Sequence, residues 1–346
     1  MLKDIHCKCQ IVKNFSPSWF ASVMGTGILA IVSGFFSNYL PILNTFSKIL
    51  FHFNVFLFFI LLIPWLLRWI FFKKEALKDL SHPILSNFYS TIAVGLLVLS
   101  ANFIIIGKNI LVGRLLWIIG AIGTIFFAIL TPYIMFKGEH VKIDHINPAW
   151  FIPPVGLIVI PIAGSLIINS TTGVLQELVI LVNYFGWGAG FFLYLALLAV
   201  SIYRFILHKP LPNTLAPTIW INLGPIGAGT AALISLVNHS YFIKFKEPFH
   251  IFGFFFWGFG IWWLLMAITM TIYYIKRLKL PYAMSWWAFT FPLGAYISAT
   301  YSIWKIFKIN LINYFGFGLY ILLLVFWFVT FFKTIVKVYH GTLFKD

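Results

Sequence analysis

The sequence predicts an all-α integral membrane protein, with ten transmembrane helices paired into five helical hairpins. Three observations predict it. Only 9% of the 346 residues are charged while 61% are hydrophobic, and a soluble domain carries about 25% charged residues. Ten apolar runs are long enough to cross a bilayer, which takes about 20 residues. One helix-opening motif recurs about every 67 residues.

The chain begins MLKDIHCKCQIVKNF, a polar and basic stretch unlike a cleaved signal peptide. Its HCKC run, His6 to Cys9, holds both cysteines and implies no disulfide framework. A structural zinc site takes four ligands, so a solvated, reduced tail is the simpler reading, and no metal or cofactor is expected. The apolar runs follow at 17–36, 46–71, 84–106, 110–136, 148–169, 177–204, 215–238, 250–275, 283–304 and 312–336. The tails beyond them leave little room for a regulatory domain. Most of the 24 lysine and arginine residues fall on the side of the N-terminus, including Arg68, Lys73, Lys74, Lys78, Lys276, Arg277 and Lys279. The positive-inside rule then places both termini in the cytoplasm. It also accounts for the net charge of +16 without a nucleic-acid partner.

The odd spans share an opening: SPSWFASVMGTG, HPILSNFYSTIAVG, NPAWFIPPVGLI, APTIWINLGPIG and AMSWWAFTFPLG. Anchored on Pro17, Pro83, Pro148, Pro217 and Met284, the repeats are 66, 65, 69 and 67 residues apart. They make one domain over residues 1–346. Eight residues after each anchor stand Gly25, Thr91, Gly156, Pro225 and Pro292, mostly residues that weaken a helix. Irregular backbone at membrane depth is tolerated where it packs in protein or lines a cavity, so these five are candidate helix breaks lining a passage. The even spans are bulkier and apolar nearly all round, as lipid contact asks.

Ser18, Ser22 and Thr26 lie on one face of the first span, Ser86 and Ser90 on the third, and Thr218 and Asn222 on the seventh. They form a candidate polar face of the passage; interhelical hydrogen bonding in a dry bundle is the competing reading. All eight acidic residues fall in loops, tails or span edges. Proton and cation pathways usually need intramembrane carboxylates, whereas an anion is suited by hydroxyls, backbone N–H groups and positive helix ends. Arg68, Arg114 and Arg204 lie near span ends, where snorkelling explains them. His239 could couple protons, but it sits at a helix end where interface residues are common. The chain has no HExxH, no paired intramembrane aspartates and no serine–histidine pair within one hairpin. An intramembrane enzyme would need such groups together.

SPSWFASVMGTG, GPIGAG and WWAFTFPLGAYISAT, in this order and spacing, resemble the tellurite-resistance/dicarboxylate transporter family over essentially the whole chain. That family includes plant guard-cell anion channels, yeast malate permeases and fungal sulfite exporters. The resemblance implies a quasi-fivefold arrangement with odd helices inner and even helices outer, and a homotrimer with one pore per subunit. It also places a pore-obstructing phenylalanine at Phe291, although any one of 40 phenylalanines is usually core or lipid-facing. The expected function is transport of small anions across the plasma membrane: malate or another C4-dicarboxylate, sulfite, tellurite, nitrate or chloride. A proton-coupled carrier of C4-dicarboxylate or sulfite with alternating access is the alternative.

Overall fold

The computed structural model describes residues 9–138 and 141–344. The HCKC run, read as a solvated tail rather than a metal site, lies outside the described residues save for Cys9. Every regular element among them is helical. Five hairpins follow in order: α1 (Ala21–Phe35) with α2 (Ile42–Phe71), α3 (Ser90–Ile105) with α4 (Ile110–Lys137), α5 (Ile152–Ile168) with α6 (Gly173–Leu207), α7 (Leu223–His239) with α8 (Glu247–Tyr273), and α9 (Phe291–Phe307) with α10 (Asn310–His340).

Each odd helix opens with a 3₁₀ segment: Pro17–Phe20, Leu85–Tyr89, Pro148–Phe151, Ala216–Asn222 and Met284–Phe289. Proline stands at the start of three of them, where its missing N–H is not needed. Ser16 and Asn147 cap two of them by accepting from Ser18 N and Ala149 N. Nine helices among the described residues are long and apolar enough to cross a membrane. The tenth expected span is divided at Thr290 (φ −95°, ψ −68°) between Met284–Phe289 and the 17-residue α9. Pro292 is the second residue of α9, in a first turn that needs no N–H from it.

Burial separates the two classes. In the first four odd spans, 78% to 89% of the most apolar window is buried; in the five even spans the share is 28% to 39%. Ten helices therefore form an inner and an outer set. The inner contacts close on themselves: α1 packs on α3, α3 on α5, α5 on α7, α7 on α9 and α9 on α1. The five 3₁₀ segments touch in the same cyclic order. Each outer helix packs on its own hairpin partner and on the next inner helix, with α10 returning to α1.

One polar side chain on each outer helix bonds across to the next inner helix. Asn54 Nδ2 on α2 donates to Asn102 Oδ1 at 3.2 Å. Trp117 on α4 donates to the Ile160 carbonyl, and Trp187 on α6 to that of Gly229, both at 2.9 Å. Trp257 on α8 donates to Thr300 Oγ1 at 2.9 Å, and Trp327 on α10 to Thr26 Oγ1 at 3.0 Å. The four tryptophans are spaced by 70 residues. Glycine lets the inner backbones meet: a Cβ on Gly227 of α7 would stand 2.3 Å from the Tyr296 nitrogen of α9.

Trp327 is 4% exposed and Trp262, on the lipid-facing side, is 50% exposed. Trp327→Phe is expected to lower stability by about 1–2 kcal/mol through the stranded Thr26 hydroxyl. Trp262→Phe should stay within about 0.5 kcal/mol. Thermal unfolding of the purified protein in detergent measures both; equal losses would contradict the cross-hairpin role.

Candidate functional site

Where the 3₁₀ segments meet the inner α-helices, a cavity of about 40 Å³ lies among all five hairpins. A water needs roughly 10–15 Å³ on this measure. The cavity therefore has room for a few waters and none for an organic anion without movement. Its wall is Ala21 and Met24, Phe88 and Thr91, Ile152 and Val155, Thr218, Ile221 and Gly224, and the stretch Met284, Ser285, Trp287, Ala288, Phe291 and Pro292.

The wall follows a register. Ala21/Met24, Phe88/Thr91, Ile152/Val155, Ile221/Gly224 and Ala288/Phe291 are pairs three residues apart. The first and third lie in the first turn of α1 and α5, the other three straddle the step from 3₁₀ to α, and residues three apart share a helix face. From hairpin to hairpin, both members step by 67, 64, 69 and 67 residues. The set Met24, Thr91, Val155, Gly224 and Phe291 ranges from no side chain at Gly224 to a full ring at Phe291, which is 5% exposed. None of the lining side chains among the described residues is ionisable. The wall hydroxyls hold backbone: Thr218 donates to Leu215 O at 2.6 Å, Ser285 donates to Thr214 O, and Thr91 lies 2.8 Å from Pro17 O and 2.6 Å from Phe88 O. Because the 3₁₀ segments gather at one end, the five inner helices run parallel, and their positive dipole ends lie together on that side.

The structure distributes the expected residues unevenly. Phe291, Thr91 and Pro292 are on the cavity wall. Gly25, Gly156 and Pro225 are not among its lining residues. A Cβ on Gly25 would stand 2.1 Å from Thr290 Oγ1, and one on Gly156 2.8 Å from Thr124 Cγ2. These glycines serve helix contact. Counted within its α-helix, Gly25 is fifth, Thr91 second, Gly156 fifth, Pro225 third and Pro292 second. The change from 3₁₀ to α precedes all five, and both prolines sit in a first turn that needs no N–H from them.

The hydroxyls of the first span turn elsewhere. Ser18 donates to Ser16 Oγ, Ser22 donates to Trp19 O, and Thr26 accepts from Trp327. Ser90 is fully buried, and its hydroxyl has no hydrogen-bond partner among the described residues. Asn222 is equally buried and lies near the Tyr194 hydroxyl, without good bonding geometry for either. The basic candidates bind backbone. Arg68 is 5% exposed; it pairs with Asp79 at 2.7 Å and donates to Phe15 O. Arg114 donates to Ser170 O and Arg204 to Lys209 O. His239 Nδ1 lies 2.7 Å from Ser235 O. Met24, Val155 and Gly224 were not among the expected site residues. Their signal in the sequence is the three-residue pairing one position before the apparent break.

The chain matches the family described as SLAC1, voltage-dependent anion channel, over residues 14–335. It is 64% identical over 345 residues to an uncharacterized transporter of Methanocaldococcus jannaschii, covering 100% of this chain and 99% of that protein. It is 28% identical to a sulfite efflux pump of Arthroderma otae, covering 96% of this chain and 93% of that one. It is 26% identical to a malic acid transport protein of Schizosaccharomyces pombe, covering 92% and 77%.

The packing around Gly25 makes a direct prediction. Gly25→Ala drives a methyl group into Thr290 beside Trp287 on the cavity wall, and overpacking of this kind costs about 1–3 kcal/mol. Nothing among the described residues lies within 4 Å of a Cβ on Gly188 in the interior of α6, so Gly188→Ala should not destabilise and should gain up to about 1 kcal/mol of helix propensity. The aggregation midpoint on heating compares the two, and an unshifted Gly25→Ala contradicts the close approach.

Proposed function

The chain belongs to the SLAC1 family of voltage-dependent anion channels, and from that premise we propose that its central cavity is the narrowest part of an anion passage closed by Phe291. It is a multi-pass membrane protein of an anion-transport family, and its relatives are named for transport rather than catalysis. The observation that carries the proposal is the uncharged cavity shared by all five hairpins, with the Phe291 ring on its wall.

Three physical features support this reading. The wall bears no carboxylate to repel an anion or hold a cation. Five parallel helices turn their positive ends to one side and attract negative charge there. The wall also lacks a strong cationic site, so an anion that enters can leave. Gly224 supplies free volume near Phe291, so rotation of one ring would change the bore. The five hairpins would act as a single quasi-fivefold unit over residues 1–346, with the remaining four of Gly25, Thr91, Gly156, Pro225 and Pro292 fixing its shape beside Pro292.

The substrate class is a small anion, with sulfite and malate first because relatives carry those names; tellurite, nitrate and chloride are further candidates of the same sign of charge. Thr26 would shape the passage through its bond from Trp327, Ser18 and Ser22 through bonds within the first span, and Ser90 and Asn222 through polar groups left unused at its side. We place the protein in the cell membrane with both termini in the cytoplasm, on the lysine and arginine bias, as three copies each with its own passage. The uncharged wall favours uncoupled permeation over a proton-coupled carrier, which needs an ionisable group on the path.

In proteoliposomes, Phe291→Ala is expected to raise sulfite or malate flux by about tenfold or more, the factor that 1.4 kcal/mol of barrier supplies. Gly224→Leu added to it should return the flux toward wild type by refilling the cavity. Unchanged flux in Phe291→Ala overturns the gate, and flux that follows an imposed pH gradient favours the coupled carrier.

A further inference from the structure

Away from the central cavity, a crevice of about 450 Å³ opens between the ends of α6 and α8. That volume falls in the range of about 300–1,000 Å³ typical of small-molecule sites. Its wall is largely apolar, with Trp262, Trp263 and Met266 on one side. Trp262 is 50% and Met266 38% exposed, and Ile206 at the rim is 73% exposed. These are surfaces that a membrane-spanning helix turns to lipid. A cation stands on the same wall. Arg204 is 3% exposed, donates to Lys209 O through Nη1 at 2.8 Å, and has a buried Nε without a hydrogen-bond partner among the described residues. His208 beside it lies 3.1 Å from Asp144 Oδ1. Asp144 is therefore engaged with the histidine, and among the described lining residues Arg204 is the permanent charge of the crevice.

We propose that this crevice binds one anionic phospholipid of the surrounding bilayer, with a hydrocarbon chain along Trp262, Trp263 and Met266 and the phosphate toward Arg204. A buried guanidinium with an unused donor calls for an anionic acceptor. The apolar wall calls for hydrocarbon, and a phospholipid carries both on one molecule. The far wall includes Ile219, whose carbonyl accepts from Trp263 Nε1 at 2.9 Å. Its neighbours Thr218 and Ile221 line the central cavity. An occupied crevice thus presses on the 3₁₀ segment that forms part of the cavity wall. This consequence for flux rests on the anion-passage reading; the binding does not.

The test uses the full-length protein, purified in detergent, stripped of lipid, and titrated with phosphatidylglycerol or phosphatidylcholine under native mass spectrometry. One phosphatidylglycerol per chain should be retained over phosphatidylcholine by about tenfold, the factor a charge-assisted hydrogen bond supplies. Arg204→Gln should remove that preference. Met266→Trp should fill the crevice and remove retention of both lipids, and it decides the matter if Arg204→Gln does not fold. Equal retention of the two lipids by the wild type overturns the proposal, as does unchanged phosphatidylglycerol binding in Met266→Trp. Competition by inorganic phosphate as effective as that by the lipid assigns the site to a soluble anion and also overturns it. These readouts measure binding alone, so they stand whether or not Phe291 gates anion flux.

Discussion

Everything in this molecule depends on holding five glycine-bearing inner helices together where water cannot help. Lipid offers no hydrophobic drive between helices and no partner for a stray N–H or carbonyl. Inner helices with so little side chain can approach closely, as Gly227 does against Tyr296, but van der Waals contact alone does not fix their order. The bonds from Asn54, Trp117, Trp187, Trp257 and Trp327 do so, because each joins one hairpin to the next inner helix. With α10 bonded back to α1, no hairpin is left at an edge. The small central cavity is the space that remains inside this closed circuit.

The 3₁₀ openings give that space its character. Where the 3₁₀ openings pass into α-helix, residues three apart share a face, so each hairpin shows the cavity at least one such pair. The pairs are mostly apolar, their few hydroxyls bond backbone, and Phe291 is the bulkiest member of its set. On the proposed anion-passage reading, selectivity for negative charge would come from helix direction and the lack of carboxylates on the wall rather than from a binding residue. The same 3₁₀ segment of the fourth hairpin faces the cavity through Thr218 and Ile221 and the lipid side through Ile219.

Much of this was legible in the sequence. The repeat of about 67 residues marked the five hairpins, and the contrast between spans 1 and 2 anticipated which set is buried. The register was harder to read. Pro83 lies one residue further from the cavity pair than the other anchors, which brought Thr91 into the eight-residue series with Gly25 and Gly156. Yet Thr91 lines the cavity and the glycines meet neighbouring helices. Sequence spacing cannot separate a glycine needed for close approach from one beside a void, because both lack a side chain. The serines and Thr26 were ambiguous for a similar reason: a hydroxyl in a helix can serve a passage, its own backbone or an outer tryptophan. The 70-residue tryptophan spacing was visible too, but only the bonding partners show its purpose.

Reactivity of single cysteines tests the central claim, that the three-residue pairs line an anion passage, most directly. In a chain carrying Phe291→Ala, with Cys7 and Cys9 changed to Ser, Val155→Cys and Gly156→Cys differ by one position. A negatively charged thiol reagent should label the Val155→Cys chain, and excess sulfite should slow that labelling, while the Gly156→Cys chain stays unreactive against α4. Equal labelling of the two, or labelling at Val155→Cys that no anion slows, would contradict the account.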